Sequence, residues 1–378
     1  MTSGTTYGNR KVAVAGVALS DCGRVDRATP YALHAQAARR ALDDSGLDRA
    51  VIDGFASAGL GTLAPVEVAE YLGLRPTWVD STSVGGATWE VLAAHAADAI
   101  AAGHANAVLL VYGSTARSDI KAGRRTANLS FGARGPLQFE VPYGHTLIAK
   151  YAMAARRHMH QYGTTLEQLA QVAVQARANA AANPDALYRD PITVDDVLDG
   201  PVIADPFTKL HCCIRSDGGC AVLLVAEDYV PDLAKPPIWV LGSGTAVSHT
   251  TMSEWDDFTV SPADIDLAEL YDAFTYMTLV TLEDLGFCAK GEGGAFVGEG
   301  RLLRDGALPV NTDGGGLAAC HPGMRGLFLL VEAVRQLRGE AGPDRQVHKP
   351  GGRLPQLAVA SGTGGWFCSS GTVVLGRE

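Results

Sequence analysis

The sequence predicts an α/β protein built from two similar halves, and three observations predict it. The apolar runs Lys11–Leu19 (KVAVAGVAL), Ala107–Tyr112 (AVLLVY) and Cys220–Glu227 (CAVLLVAE) lack alternation, as strands buried on both faces do. Segments of helical spacing separate them, which sets helices against both faces of a sheet. The order of elements also recurs: Ala107–Gly113 followed by Cys220–Glu227 is echoed by Leu357–Gly362 followed by Gly371–Glu378. Such an echo marks an internal repeat.

In chain order, Lys11–Leu19 is a strand ending in the polar turn Ser20–Gly23. Tyr31–Gly46 is a helix, with Pro30 in its first turn and Gly46 at its C-terminus, the usual places for these two residues. Val51–Ala56 is a short strand, Ala87–Ala102 an Ala-rich helix closed by Gly103, and Ala107–Tyr112 the next strand. From Gly113 to Gly144 no period holds, and a stretch this long inside a compact unit is commonly functional. Two helices follow, about His145–Tyr162 and Thr165–Ala182, before the strand Cys220–Glu227. After the connector Pro231–Pro237 come strands at Ile238–Gly242 and Asp266–Tyr271, helices at Thr275–Leu285 and Gly323–Leu337, and strands at Leu357–Ser361 and Gly371–Leu375. Residues 1–230 form the first half, with an insertion at about 113–200, and residues 236–378 form the second.

Composition narrows the function. The chain of 378 residues is 47% hydrophobic and 19% charged, with mean hydropathy +0.07, which excludes a disordered chain. Its net charge of −10 and the absence of a basic block argue against a nucleic-acid partner. Met1–Arg10 lacks the apolar core of a secretory signal, and runs such as Ala93–Gly103 are broken by His95 and Asp98. They are too short to span a bilayer. Seven scattered cysteines fit thiols in a reducing compartment better than disulfides. A soluble, cytoplasmic protein without membrane contact is expected.

The second half carries a dense series of motifs: Leu270–Phe274 (LYDAF), Leu282–Gly293 (LEDLGFCAKGEG), Leu308–Gly316 (LPVNTDGGG), Cys320–Gly323 (CHPG) and Ser361–Gly365 (SGTGG). In this order the chain resembles the thiolase superfamily, in its sterol-carrier-protein-type and lipid-transfer-protein branch. Within it the chain is most similar to thiolase-like steroid side-chain-cleaving aldolases. Ser81–Ala87 (STSVGGA) and Asp217–Gly218 in the first half agree. The resemblance implies the thiolase fold, two βαβαβαββ halves in a five-layered αβαβα core. It also implies carbon–carbon bond chemistry beside a thioester carbonyl. That chemistry requires donors for a developing oxyanion, a proton shuttle and in some members a covalent nucleophile.

The resemblance assigns the candidate residues. Ser83 stands where thiolases carry the nucleophilic cysteine, and reads either as a weak nucleophile or as the cap of the following helix. No cysteine occupies the loop Ser361–Gly364; Cys368 lies beyond it. His321 stands where the superfamily's Gly-His-Pro histidine serves the thioester oxyanion or moves a proton; the alternative is a capping histidine. Tyr271 and Asp272 replace the thiolase Asn-Glu pair, as in the aldolase-like members, although Tyr271 also suits a core position at a strand end. His145 before a helix is a further candidate and Tyr143 a weaker one. Gly316, Gly323 and Gly364 mark loops that would admit the CoA or acyl part of the substrate. His211-Cys212-Cys213 lacks the spacing of a zinc site and reads as small residues buried in a strand pair. No metal and no bound cofactor are expected, CoA entering only as part of the thioester.

The leading expectation is an acyl-CoA lyase of (retro-)aldol type that needs no cysteine, with Tyr271 at the β-oxygen and His321 at the thioester. The alternatives are an acyltransferase using Ser83 with His321, and a non-catalytic subunit that binds acyl-CoA or lipid. The resemblance further implies a homodimer and a separate OB-fold/zinc-ribbon partner chain.

Overall fold

The computed structural model describes residues 10–61, 63–123, 138–143, 146–249 and 265–377. The first half runs β1 (Val12–Leu19), α1 (Pro30–Ser45), β2 (Gly54–Ala56), α2 (Ala64–Tyr71), β3 (Trp78–Asp80), α3 (Thr88–Ala101), β4 (Ala107–Ser114) and α4 (Ala116–Lys121). It continues through α5 (Leu147–Tyr162), α6 (Leu166–Ala181), α7 (Val194–Leu198), the hairpin β5 (Val202–Ala204) and β6 (Phe207–Thr208), and β7 (Gly218–Ala226). The second half runs β8 (Ile238–Val247), β9 (Leu267–Leu270), α8 (Thr275–Asp284), α9 (Gly293–Phe296), α10 (Gly315–Ala318), α11 (Gly326–Arg338), β10 (Leu357–Gly364) and β11 (Ser369–Gly376).

The main strands follow the order β3-β2-β4-β7-β1-β8-β11-β10-β9. Outward from the centre, β1, β7, β4 and β2 pair antiparallel, antiparallel, then parallel, and β8, β11, β10 and β9 do the same. Even β3 has a trace of a counterpart, since Ala268 of β9 forms a parallel bridge with Val310. The repeat read from sequence is therefore a repeat of topology. The halves meet where β1 pairs with β8 at only Ala13↔Trp239 and Val14↔Ile238.

Alternate residues of the inner strands serve different cores. Ala107, Leu109 and Val111 of β4 face the core covered by α1 and α2. Val108, Leu110 and Tyr112 face the central core, which holds α3, α11 and residues of β10 and β11. The helices α3 and α11 each pack against strands of both halves and are buried almost all round, as the middle layer of a stack must be. On the far side α6, α8 and α10 cover β9 and β10, which completes five layers.

Several expected elements shift. Asp48 caps a 3₁₀ turn at Arg49–Val51, so β2 begins only at Gly54. Strand β8 runs on to Val247, past the expected Gly242. Helix α11 starts at Gly326 because Gly323 sits at φ +107°, outside helical space. The His211-Cys212-Cys213 segment is not a strand pair. It is a 3₁₀ turn, Lys209–His211, followed by a bridge between Cys212 and Phe274, and the His211 ring stacks on Phe207. All seven cysteines are free thiols. Among the described residues no helix is long and apolar enough to cross a membrane.

Candidate active site

Strands β9 and β10 run parallel, so the loops leaving their C-terminal ends emerge on one edge. There Tyr271 follows β9, and its N–H donates to the Ser361 carbonyl of β10 at 3.0 Å. The loop before α3 closes over both. A Cβ on Gly86 would stand 2.6 Å from Tyr271 Cζ and collide with the Thr363 carbonyl, and one on Gly364 would collide with the Val84 carbonyl. Only glycine permits this approach. Ser369 Oγ ties the loop down by donating to the Val84 carbonyl at 2.6 Å.

His321 comes from the loop between α10 and α11 and meets Tyr271 edge-to-face, with ring centroids 5.5 Å apart at 80°. Its backbone N–H donates to Ser216 Oγ at 2.8 Å, and its ring lies over Gly316, whose missing Cβ would be 2.8 Å from Cδ2. Imidazole Nε2 is buried without a partner among the described residues. Burial, helped by the Arg325 charge, pulls the ring's pKa down to about 4, so the ring is neutral at pH 7. Tyr271 is buried too, and burial holds its phenol well above the ordinary 10. Both rings enter the site uncharged.

A buried ionic frame holds these rings. The Arg325 guanidinium donates twice to Asp313, at 2.6 Å each, and once to the Cys320 carbonyl at 2.7 Å. It thus spans the loop that ends at His321. The Asp272 carboxylate accepts from the N–H groups of Gly316 at 2.7 Å and Leu317 at 3.2 Å. Burial raises its pKa to about 6, against the pull of Arg325. First-half residues 213–216 stitch the frame from the side: Cys213 N–H reaches the Ala273 carbonyl at 2.8 Å, and Ile214 N–H the Gly316 carbonyl at 2.9 Å.

The expected candidates fare differently. Tyr271 and His321 come together. Ser83 does not join them: it is exposed, and among the described residues its hydroxyl makes no hydrogen bond. It does not cap α3 either, because a 3₁₀ turn at Gly85–Ala87 intervenes and Thr88 Oγ1 receives the Val84 N–H at 3.0 Å. His145 lies outside the described residues, and Tyr143 is exposed. At Gly316, Gly323 and Gly364 the space of a side chain is taken by His321, by the Tyr112 hydroxyl and by the Val84 carbonyl.

Sequence reasoning missed Arg325, Asp313 and Ser216, and also Glu90. That fully buried carboxyl on α3 has no hydrogen-bond partner among the described residues. The signal for Arg325 and Asp313 was present, as charges inside Gly-rich apolar motifs.

Residues 245–377 match the family model described as thiolase C-terminal domain-like. A Mycobacterium tuberculosis protein, 17-hydroxy-3-oxo-4-pregnene-20-carboxyl-CoA lyase, is 32% identical over 94% of this chain and 97% of its own. The chain belongs to the thiolase superfamily. Within it the chain falls in the branch that holds steroid side-chain-cleaving aldolases and sterol carrier protein 2. The thiolase fold is not confined to the second half: the Ltp2-ChsH2(DUF35) aldolase superposes with a TM-score of 0.85 at 29% identity, over 97% of both chains. An acetyl-CoA acetyltransferase from Methanothermobacter thermautotrophicus is also 32% identical, over 94% of this chain and 97% of its own. Relatives of one similarity thus carry two chemistries on this fold. The chain is an enzyme of this superfamily.

Proposed function

We propose that this enzyme makes or breaks the Cα–Cβ bond of an acyl-CoA thioester by aldol chemistry, with no acyl-enzyme intermediate. The contact of Tyr271 with His321, in a site where the exposed Ser83 makes no hydrogen bond among the described residues, carries this reading. In the cleavage direction a β-hydroxyl gives its proton to Tyr271 as phenolate. The Cα–Cβ electron pair moves into the thioester as an enolate, and a carbonyl compound leaves. In the tautomer that carries its proton on the unpartnered Nε2, neutral His321 donates to the enolate oxygen, where a preorganised donor in a dry site is most effective. Cα then takes up a proton, giving the shortened acyl-CoA. In the synthetic direction the Tyr271 phenol protonates the new β-alkoxide.

The elevated phenol pKa leaves Tyr271 protonated at pH 7 and suits it to that second role. The names of the relatives make steroid-like acyl-CoA thioesters the first substrates to test. The aldolase to which the chain is similar has two named components, which supports a separate partner chain; in this reading the partner is an OB-fold/zinc-ribbon protein, joined to a homodimer of this chain in the cytoplasm.

The test is turnover of β-hydroxyacyl-CoA thioesters, followed by chromatography of both products, with and without a co-expressed partner. A carbonyl compound and a shortened acyl-CoA in equal amounts are expected. Free CoA and a transferred acyl group would instead establish the acyltransferase.

A further inference from the structure

A cavity of ≈ 870 Å³ opens where β1 ends, lined by Leu19, Ser20, Cys22, Arg40, Leu187 and Arg335 among others. Cys22, which is partly exposed, stands in its wall. Behind Cys22 lies Gly218. A Cβ on that glycine would be 2.8 Å from Cys22 Sγ and 3.2 Å from Cys320 Sγ. The two sulfurs therefore border the same small space, that of one absent methyl group. One comes from the cavity wall, the other from the residue that precedes His321.

Cys320 is linked to His321 through more than the chain. Its Sγ lies 3.1 Å from Ser216 Oγ, and the same hydroxyl accepts the His321 N–H at 2.8 Å. The two thiols differ in acidity. Hydrogen bonds from Cys22 and Ser216, with the Arg325 charge, lower the pKa of Cys320, whereas interaction with Cys320 and burial raise that of Cys22.

We propose that Cys22 and Cys320 are a thiol–disulfide site, oxidised by a low-molecular-weight disulfide admitted through this cavity, and that bond formation displaces His321. Cys22 sulfur, the one that the cavity reaches, attacks the small disulfide, and its proton leaves with the first small thiol. Cys320 thiolate then attacks Cys22 sulfur and expels the second. Two protein thiols and one disulfide give one protein disulfide and two small thiols. The cavity has the volume of an ordinary small-molecule site, and Cys320 is the better resolving thiolate. A disulfide holds its sulfurs at about 2.05 Å, so closure draws Cys320 Sγ off Ser216 and shifts the backbone at His321. Such a bond in a reducing compartment would be transient and regulatory. The inhibitory consequence rests on the aldolase reading; the bond itself does not.

The experiment treats the full-length protein with glutathione disulfide. It reads intact mass, the non-reducing peptide map, the NMR signal of the His321 ring (assigned with His321→Ala) and turnover. Expected are a mass loss of about 2 Da, a cross-link between the Cys22 and Cys320 peptides and a shifted His321 resonance. Turnover should fall at least about tenfold and return with dithiothreitol. Cys22→Ser should keep its basal turnover and show none of these changes. Absence of the cross-link, an unmoved His321 signal in cross-linked protein, or equal inhibition of Cys22→Ser would each overturn the proposal. If the protein lacks aldol turnover, the cross-link and the His321 signal still decide it.

Discussion

Arg325 and Asp313 are joined by two 2.6 Å hydrogen bonds inside the protein, with Arg325 fully buried. The pair sits under the loop that carries His321. Removing one member leaves the other as an uncompensated buried charge, which costs roughly 3–5 kcal/mol. Arg325→Met should therefore lower urea-unfolding stability by about that amount. Arg325→Met with Asp313→Leu should recover much of it, while turnover stays low because the Cys320 carbonyl has lost its donor. A single variant as stable as the parent would show that the pair does not carry the loop.

Gly86 sets the distance between the α3 loop and Tyr271. Its missing Cβ would stand 2.6 Å from Tyr271 Cζ, so Gly86→Ala must push the ring or the loop aside. Overpacking of this kind costs typically ~1–3 kcal/mol, and a displaced catalytic group loses turnover by about a hundredfold. Melting temperature and kcat, measured together, check both. Unchanged kcat would mean that Tyr271 does not act from this position.

Glu90 ties stability to pH. Burial raises its carboxyl from 4.5 to about 8, so between those values the folded state holds a proton that the unfolded state has lost. Stability then falls as pH rises. The contribution is fully present below about 4.5 and is lost as pH passes through about 8. Histidines lowered to about 4, such as His34, His211 and His321, act oppositely, but only below about 6.5. Between pH 6.5 and 8 the urea midpoint should decline, and Glu90→Gln should flatten that decline. An equal slope in both proteins would place the proton elsewhere.

Ser83 is exposed, and among the described residues no base is hydrogen-bonded to it. Ser83→Ala should cost on the order of tenfold or less in kcat/KM, and the parent should show no acyl adduct by intact mass after mixing with substrate. A loss near a thousandfold, with an adduct at Ser83, would favour the acyltransferase.

Much of this fold is legible in the sequence because β1, β4 and β7 are buried on both faces and read as apolar runs. Strand β3 does not: it is three residues, Trp78–Asp80, at the sheet edge, too short to show a pattern. Tyr271 and His321 were found through their motifs, which survive at the level of residue type. The Arg325–Asp313 clamp was not, since a charged residue in a sequence suggests solvent and only the packing shows its partner. Ser83 was misplaced as a possible cap because the glycine pair Gly85-Gly86 delays the helix by one turn, to Thr88.

The pH dependence of cleavage follows from the two rings. With His321 neutral above about 4, no histidine titration should appear between pH 6 and 9. With the Tyr271 phenol well above 10, the active phenolate fraction grows with pH. Hence kcat/KM for cleavage should rise about tenfold per pH unit over that range, and Tyr271→Phe should abolish the rise. A bell-shaped profile centred near pH 7 would contradict these assignments.

The most direct test of the central claim is the double-mutant cycle of Tyr271→Phe and His321→Ala on carbon–carbon bond cleavage. Each single change should lower kcat by about 10²–10⁴-fold with KM nearly kept. The double variant should be far less impaired than the product of the two, because both residues serve one proton-transfer sequence. Full activity in Tyr271→Phe beside an inactive His321→Ala would contradict the account, leaving Tyr271 as packing and the site as that of a thiolase without its cysteine.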